Sequence, residues 1–228
     1  HIPWCIRKCP YCDFNSHRAP DRLPEQAYVQ ALIRDLESER QRWGQRPIHS
    51  IFIGGGTPSL FSAKSIGAVL NAVDQQYGLE TDAEITLEAN PGASEQQRFA
   101  DYRGAGVNRL SIGVQSFNDL TLQALGRVHD SDNAASAIQA AKAAGFARFN
   151  IDLMHGLPGQ SPADALFDLE QALSFEPEHI SWYQLTLEPN TEFHKRPPAL
   201  PPEDTLADIQ TQGQSLLRNH GLRDYEVS

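Results

Sequence analysis

Cys5, Cys9 and Cys12 are the only cysteines of the 228-residue chain, and they fall within a single eight-residue stretch. An odd, tightly grouped set makes a poor disulfide framework. It suits metal or redox chemistry in a reducing compartment, with the cytoplasm as the expected location. The spacing is Cys-x3-Cys-x2-Cys, in Cys5-Ile6-Arg7-Lys8-Cys9-Pro10-Tyr11-Cys12. Three thiolates so placed suit one compact iron–sulfur cluster, because such centres favour thiolate ligands. A four-iron cubane held by three ligands keeps one iron open, as a catalytic zinc keeps its fourth position. The plainer alternative is a structural zinc completed by His1 or His17. Structural zinc is usually held by two separated ligand pairs, and only one such segment is present.

Other residues with chemical potential lie where apolar runs end. Gly54-Gly55-Gly56-Thr57-Pro58-Ser59 follows the run His49–Ile53, and successive glycines let a backbone approach a ligand closely. Tight-turn chemistry is the alternative, and the P-loop lysine and dinucleotide glycine spacing are both absent. Glu88 and Gln115 end two further runs, Arg127 follows a short helical segment, and Asp152 lies inside an apolar run. Polar groups in such places need partners, since leaving one unpaired in a core costs a few kcal/mol. The alternative to ligand binding is an internal ion pair of Arg127 with Glu88 or Asp152. His17, His129 and His155 sit near these segments, where surface or packing roles are expected.

Alternating strand and helix patterns position these residues. Helical periodicity covers Pro24–Trp43, Ser62–Tyr77, Ser94–Arg103 with Ser94 as N-cap, Leu120–Leu125, Asp132–Ala144, Ser161–Phe175 and Thr205–His220. Strand patterns cover His49–Ile53, Glu84–Asn90, Arg109–Gln115, Phe149–Met154 and His179–Thr186, with a further extended piece at Tyr225-Glu226-Val227. Pro189–Pro202 reads as a proline-rich loop. His1-Ile2-Pro3 reads as the end of a clipped first strand. Such alternation calls for a parallel sheet with helices outside it. About six βα units fall short of the eight of a closed barrel, so the expected fold is α/β, a partial (open) TIM-type barrel. A flat doubly wound sheet is the alternative. In both, ligands sit beyond the C-terminal strand ends.

The length suits one domain. The formal net charge of −10 argues against nucleic acid as a partner. No apolar run is long enough for an integral membrane segment, and no signal peptide is visible.

The cysteine spacing, with Tyr11 before the last cysteine, resembles the radical S-adenosylmethionine (SAM) superfamily. Resemblance to one branch, the HemN/HemW family, rests on further segments. These are Gly54–Ser59, Glu88-Ala89-Asn90-Pro91, Ile112-Gly113-Val114-Gln115-Ser116, Gly126-Arg127-Val128-His129 and Asp152–Gln160. That family comprises oxygen-independent coproporphyrinogen III oxidases and haem chaperones. The resemblance implies a [4Fe-4S] cluster on Cys5, Cys9 and Cys12, with SAM on its open iron. It further implies SAM contacts from Gly55, Gly56, Thr57, Glu88, Gln115, Arg127 and Asp152, with weaker contacts from Tyr11 and Thr186. No catalytic side chain is assigned. Residues 1–228 are read as a radical SAM core domain whose first strand is clipped and whose family C-terminal domain is absent. True oxidases of the family carry a fourth cysteine two residues after the third, where this chain has Phe14. The resemblance is therefore to the chaperone branch. It implies haem or porphyrin as ligand, haem bound in the full-length protein, haem-acceptor proteins and a low-potential electron donor as partners. Coproporphyrinogen oxidation is the alternative.

Overall fold

The computed structural model describes residues 1–226. Two short strands, β1 (Trp4–Cys5) and β2 (His17–Arg18), pair in parallel on either side of the cysteine segment. The main sheet runs β3 (Ile48–Ile53), β4 (Leu79–Ala89), β5 (Arg109–Gln115), β6 (Arg148–His155) and β7 (His179–Gln184). Its strands are all parallel and neighbour one another in chain order. A doubly wound sheet would reverse direction at a switch point. This one winds a single way, as a barrel does, and β3 and β7 stay unpaired on their outer edges. Before β1, Ile2 adds one isolated parallel bridge to Gly55, just past the end of β3. Five strands and that bridge give the six expected positions.

Helices fill the connections: α1 (Glu25–Trp43), α2 (Ala63–Tyr77), α3 (Ala93–Gln96), α4 (Phe99–Gly104), α5 (Asp119–Ala124), α6 (Ser131–Ala143), α7 (Pro162–Ser174), α8 (Glu192–Lys195) and α9 (Glu203–Asn219). Their starts are capped as the sequence dictates. Ser62 accepts from Ser65 N–H, Asp130 from Asn133 N–H, and Ser161 with Asp164 forms a capping box. No helix among the described residues is long and apolar enough to cross a membrane.

Alternation along the strands sorts the two sheet faces. Leu87, Leu110, Ile112, Val114, Ile151 and Leu153 are fully buried in one hydrophobic core beneath the helices. The intervening residues are polar and bond one another across the opposite, concave face. At one end Arg109 and Arg148 pair with Glu84. Midway, Asn150 donates to Ser111 Oγ at 2.8 Å and its carbonyl accepts from Ser181. Near the mouth, Tyr183 O–H donates to Gln115 Oε1 at 2.7 Å.

Several expected boundaries move. The helix read over Ser94–Arg103 is two helices, because Arg98 turns its side chain to the Ser94 and Leu60 carbonyls. Ser94 is not the cap; Gly92 holds that place and Ser94 Oγ bonds Glu95. β4 starts five residues earlier than expected, at Leu79, and slips register before Glu84. β7 stops at Gln184, so Thr186 lies beyond it, and α8 occupies part of the proline-rich loop. Tyr225 and Glu226 form no strand, and Val227 lies outside the described residues.

Candidate cluster and cofactor site

The three thiols sit on a loop that leaves β1 and returns through β2, at the C-terminal end of the main sheet. Cys12 N–H donates to the Cys9 carbonyl at 3.1 Å, closing a turn around Pro10 and Tyr11. Lys8 Nζ staples the loop by donating to the Phe14 and Ser16 carbonyls. The proline-rich loop clamps it from outside, with Phe193 N–H on the Pro10 carbonyl and the Phe193 ring against Tyr11. Gly126 makes the approach from below possible: at φ 68°, a Cβ there would lie 2.9 Å from Pro10 Cδ.

All three cysteines are free; Cys5 is buried and the others half-buried. Burial pushes the Cys5 thiol up, hydrogen bonds with Thr57 and Ser16 pull it down, and charge on Cys12 and Cys9 pushes it up again. The cysteines are thus near enough to feel one another. Yet among the described residues no three His, Cys, Asp or Glu side chains converge on a point that would hold a single ion. His17 is exposed on β2, and the His1 ring packs on Gly55. Neither completes a zinc site. Three free thiols on one short segment, with neither histidine beside them, suit a cluster with an open iron rather than a single zinc ion.

The glycine loop is committed to the fold more heavily than its sequence implies. Ile2 N–H donates to the Gly54 carbonyl, Gly56 N–H to Ile2 and Thr57 N–H to Trp4, so the loop is the seat of the N-terminal stub. A Cβ on Gly56 would come within 2.7 Å of the Trp4 carbonyl and 3.0 Å of Cys5 Sγ. Gly55 N–H donates to Glu88 Oε2 at 3.0 Å. With these donors engaged, the loop presents carbonyl oxygens, which suit a cationic ligand group rather than a phosphate.

Charges around the mouth are separated. Arg127 donates through Nη2 to Asn90 Oδ1 at 2.6 Å and to the Gly113 carbonyl at 2.8 Å, and through Nη1 to Cys9 Sγ at 3.6 Å. Its Nε is buried without a partner. Among the described residues it makes no ion pair with Glu88 or Asp152, so the expected alternative of an internal ion pair is not what the structure has. Opposite, burial pushes Glu88 up to about 7, offset by the Gly55 N–H and reinforced by Asp152. Burial also pushes Asp152 up to about 6, against hydrogen bonds from Ser111, Asn150 and Ser181. The guanidinium thus forms no salt bridge with either carboxyl, although its charge pulls Asp152 down and the N-terminal amine pulls Glu88 down.

Glu88 gives the apo-protein a signed pH dependence. Its folded value of about 7 exceeds the ordinary 4.5, so folding holds a proton that the unfolded chain has released. The associated stability is fully present below about pH 4.5 and lost as pH rises through about 7. Glu88→Gln, which keeps an acceptor for Gly55, therefore raises the urea midpoint relative to wild type at pH 8 and much less at pH 5. An equal difference at both pH values would contradict this.

Gln115 is buried at φ 72°, a conformation costing of order 1–3 kcal/mol in a non-glycine residue. The β5–β6 register shifts there, turning its side chain towards Tyr183. Tyr11 is half-buried against Leu125, Met154, Leu157 and Leu185, and Arg127 and Cys9 border its hydroxyl. Of the expected contacts, Thr186 stands apart: it is exposed past the end of β7. His129 and His155 are buried and pushed down to about 4 by burial. His129 bonds the Val114 carbonyl and His155 packs on Trp182, both packing roles. Sequence reasoning missed Asn90, Tyr183, Ser111 and Asn150. The signal was polar residues at every second position of otherwise apolar strands.

A singly wound, partial parallel barrel with a three-cysteine segment at its mouth is the architecture of the radical SAM fold. The Radical SAM superfamily model matches residues 1–172, and the chain belongs to that superfamily. A protein named "Heme chaperone HemW" from Haemophilus influenzae is 55% identical over 232 residues, covering 100% of this chain and 61% of the relative. One of the same name from Escherichia coli is 53% identical over 228 residues, covering 100% and 60%. The chain thus spans about three fifths of the length of these curated relatives. Among solved structures, coproporphyrinogen III oxidase (HemN) from Escherichia coli superposes with a TM-score of 0.87 at 27% identity, over 98% of this chain and 52% of that one.

Proposed function

We propose that this chain is the radical SAM core of a longer haem chaperone of the HemW type. Cys5, Cys9 and Cys12 hold a [4Fe-4S] cluster, and SAM lies between it and the strand ends. The observation that carries this reading is the separated charge at the mouth. Arg127, beside Cys9 and without a carboxylate, suits the SAM carboxylate. The Gly55 and Gly56 carbonyls and Glu88 suit the amino group. Asp152 suits the ribose hydroxyls or the sulfonium side, and Gln115 and Thr57 close the pocket. Tyr11 supplies packing at its rim, whereas Thr186, exposed beyond β7, takes no part. When bound, the cluster supplies one-electron reduction and an open iron; the residues around it orient the ligand and exclude water. The full-length protein is read as cytoplasmic, taking haem as cargo for acceptor proteins, with electrons from a low-potential donor.

Phe14 supports the chaperone over the oxidase. It occupies the place of the oxidases' extra cysteine and is 60% exposed, an apolar side chain unfit to hand on a proton or hydrogen atom. The test uses full-length, anaerobically reconstituted protein. Haem titration followed by transfer to an apo-haemoprotein is expected to succeed. Incubation with coproporphyrinogen III, SAM and a reductant is expected to leave the porphyrinogen unchanged. Sustained decarboxylation, or no haem binding at all, would overturn the chaperone reading.

A further inference from the structure

Asn90 directly follows the last residue of β4 at the mouth, just before Pro91. Its Nδ2 donates to Thr57 Oγ1 at 2.9 Å, and its Oδ1 accepts from Arg127 Nη2 at 2.6 Å. Thr57 lies beside Cys5, its N–H on the Trp4 carbonyl and its hydroxyl pulling the Cys5 thiol down, and Arg127 Nη1 reaches Cys9 Sγ at 3.6 Å. The result is one continuous path, Thr57–Asn90–Arg127, whose two ends lie beside Cys5 and Cys9.

The chemistry of the amide gives that path a direction. Guanidinium has only donors, so the Asn90 atom facing Arg127 must be its carbonyl oxygen. The amide nitrogen is then committed to Thr57, where it fills an acceptor position. That frees the Thr57 hydroxyl proton to point at Cys5. Both ends of the path therefore present donors to sulfur. Donors to cluster sulfurs stabilise the more negative, reduced state and raise its potential.

We propose that Asn90 is a positioning residue that aims Thr57 at Cys5 and Arg127 at Cys9, and so sets the reduction potential of the cluster these cysteines hold. The inference rests on the cluster reading above. The step it tunes is a one-electron reduction, [4Fe-4S]2+ to [4Fe-4S]1+, with the electron supplied by an external low-potential reductant and no proton moved.

The test is a mediated redox titration of the anaerobically reconstituted chain without SAM, followed by electron paramagnetic resonance of the reduced cluster. In Asn90→Ala and Thr57→Val the reduced-to-oxidised ratio at a fixed potential is expected to fall about tenfold, equivalent to about 59 mV for one electron. Thr57→Ser, which keeps the hydroxyl, titrates with wild type. The Asn90→Ala/Thr57→Val double variant shifts by less than the sum of the singles, because both act on one donor. Wild-type potentials in both single variants, or a Thr57→Ser shift as large as that of Thr57→Val, would overturn the proposal. If Asn90→Ala fails to hold a cluster, the Thr57→Val and Thr57→Ser pair decides the matter by the same criterion. A wild-type chain that takes up no iron would instead overturn the reading on which it rests.

Discussion

Cys9→Ser leaves a chain that folds but takes up no iron–sulfur cluster. Serine keeps the size of cysteine and loses the soft, acidic thiol, so at neutral pH it offers iron a protonated hydroxyl in place of thiolate. Two remaining thiolates hold a cubane at adjacent corners only, and the chain has no further cysteine to replace the third. The fold has little stake in that sulfur. Cys9 is half-buried on a loop outside the main sheet and belongs to neither hydrophobic cluster. Comparing apo-proteins, the unfolding free energy from urea titration is expected to change by no more than about 0.5 kcal/mol, as for a surface substitution. After anaerobic reconstitution, iron and sulfide fall to background and the brown absorbance is lost. Wild-type iron in the variant, or stoichiometric zinc and no iron in wild type, would contradict the ligand assignment.

The fold was legible because each strand pairs an apolar register with a turn signal. Leu110, Ile112 and Val114 alternate with Ser111, Gly113 and Gln115, and the first set proves to be the helix-covered core. Chain-order winding was less accessible, since a βαβ pattern reads alike for barrels and doubly wound sheets. The break between α3 and α4 was hidden for another reason. It depends on Arg98 reaching the Leu60 carbonyl, a tertiary contact that local propensity does not carry.

The same distinction runs through the site. The cysteines announce themselves by local spacing alone. The glycine triplet was read as a ligand loop, yet its first demand is room for the N-terminal stub and Cys5. Asn90 was visible only as part of a strand end, because its partners Thr57 and Arg127 lie 33 and 37 residues away in opposite directions. Side chains whose purpose is to orient other side chains acquire meaning only in three dimensions. Those that bond a ligand directly are betrayed by type and place.

That the site binds a ligand carrying both an anionic group and cationic groups is tested most sharply at Arg127. Arg127→Ala is expected to retain the cluster, since all three thiols remain, and to lose SAM affinity by one to two orders of magnitude. Charge-assisted hydrogen bonds contribute about 1.5–3 kcal/mol, and truncating one partner of a buried charged pair costs about 2–5 kcal/mol. Part of the cost falls on the apo-protein. Asn90 Oδ1 and the Gly113 carbonyl lose their donor, so a stability decrease of about 1–3 kcal/mol accompanies the change. Arg127→Lys separates charge from geometry: it restores a point charge without the planar fork, and SAM affinity is expected to recover only partly. The measurement is a SAM titration monitored by the electron paramagnetic resonance of the reduced cluster. An unchanged spectral response in Arg127→Ala would show that the guanidinium braces Asn90 and Gly113 for the fold alone. A weakened response with full iron content would place the ligand's anionic end beside Cys9, and its cationic groups against Glu88 and Asp152.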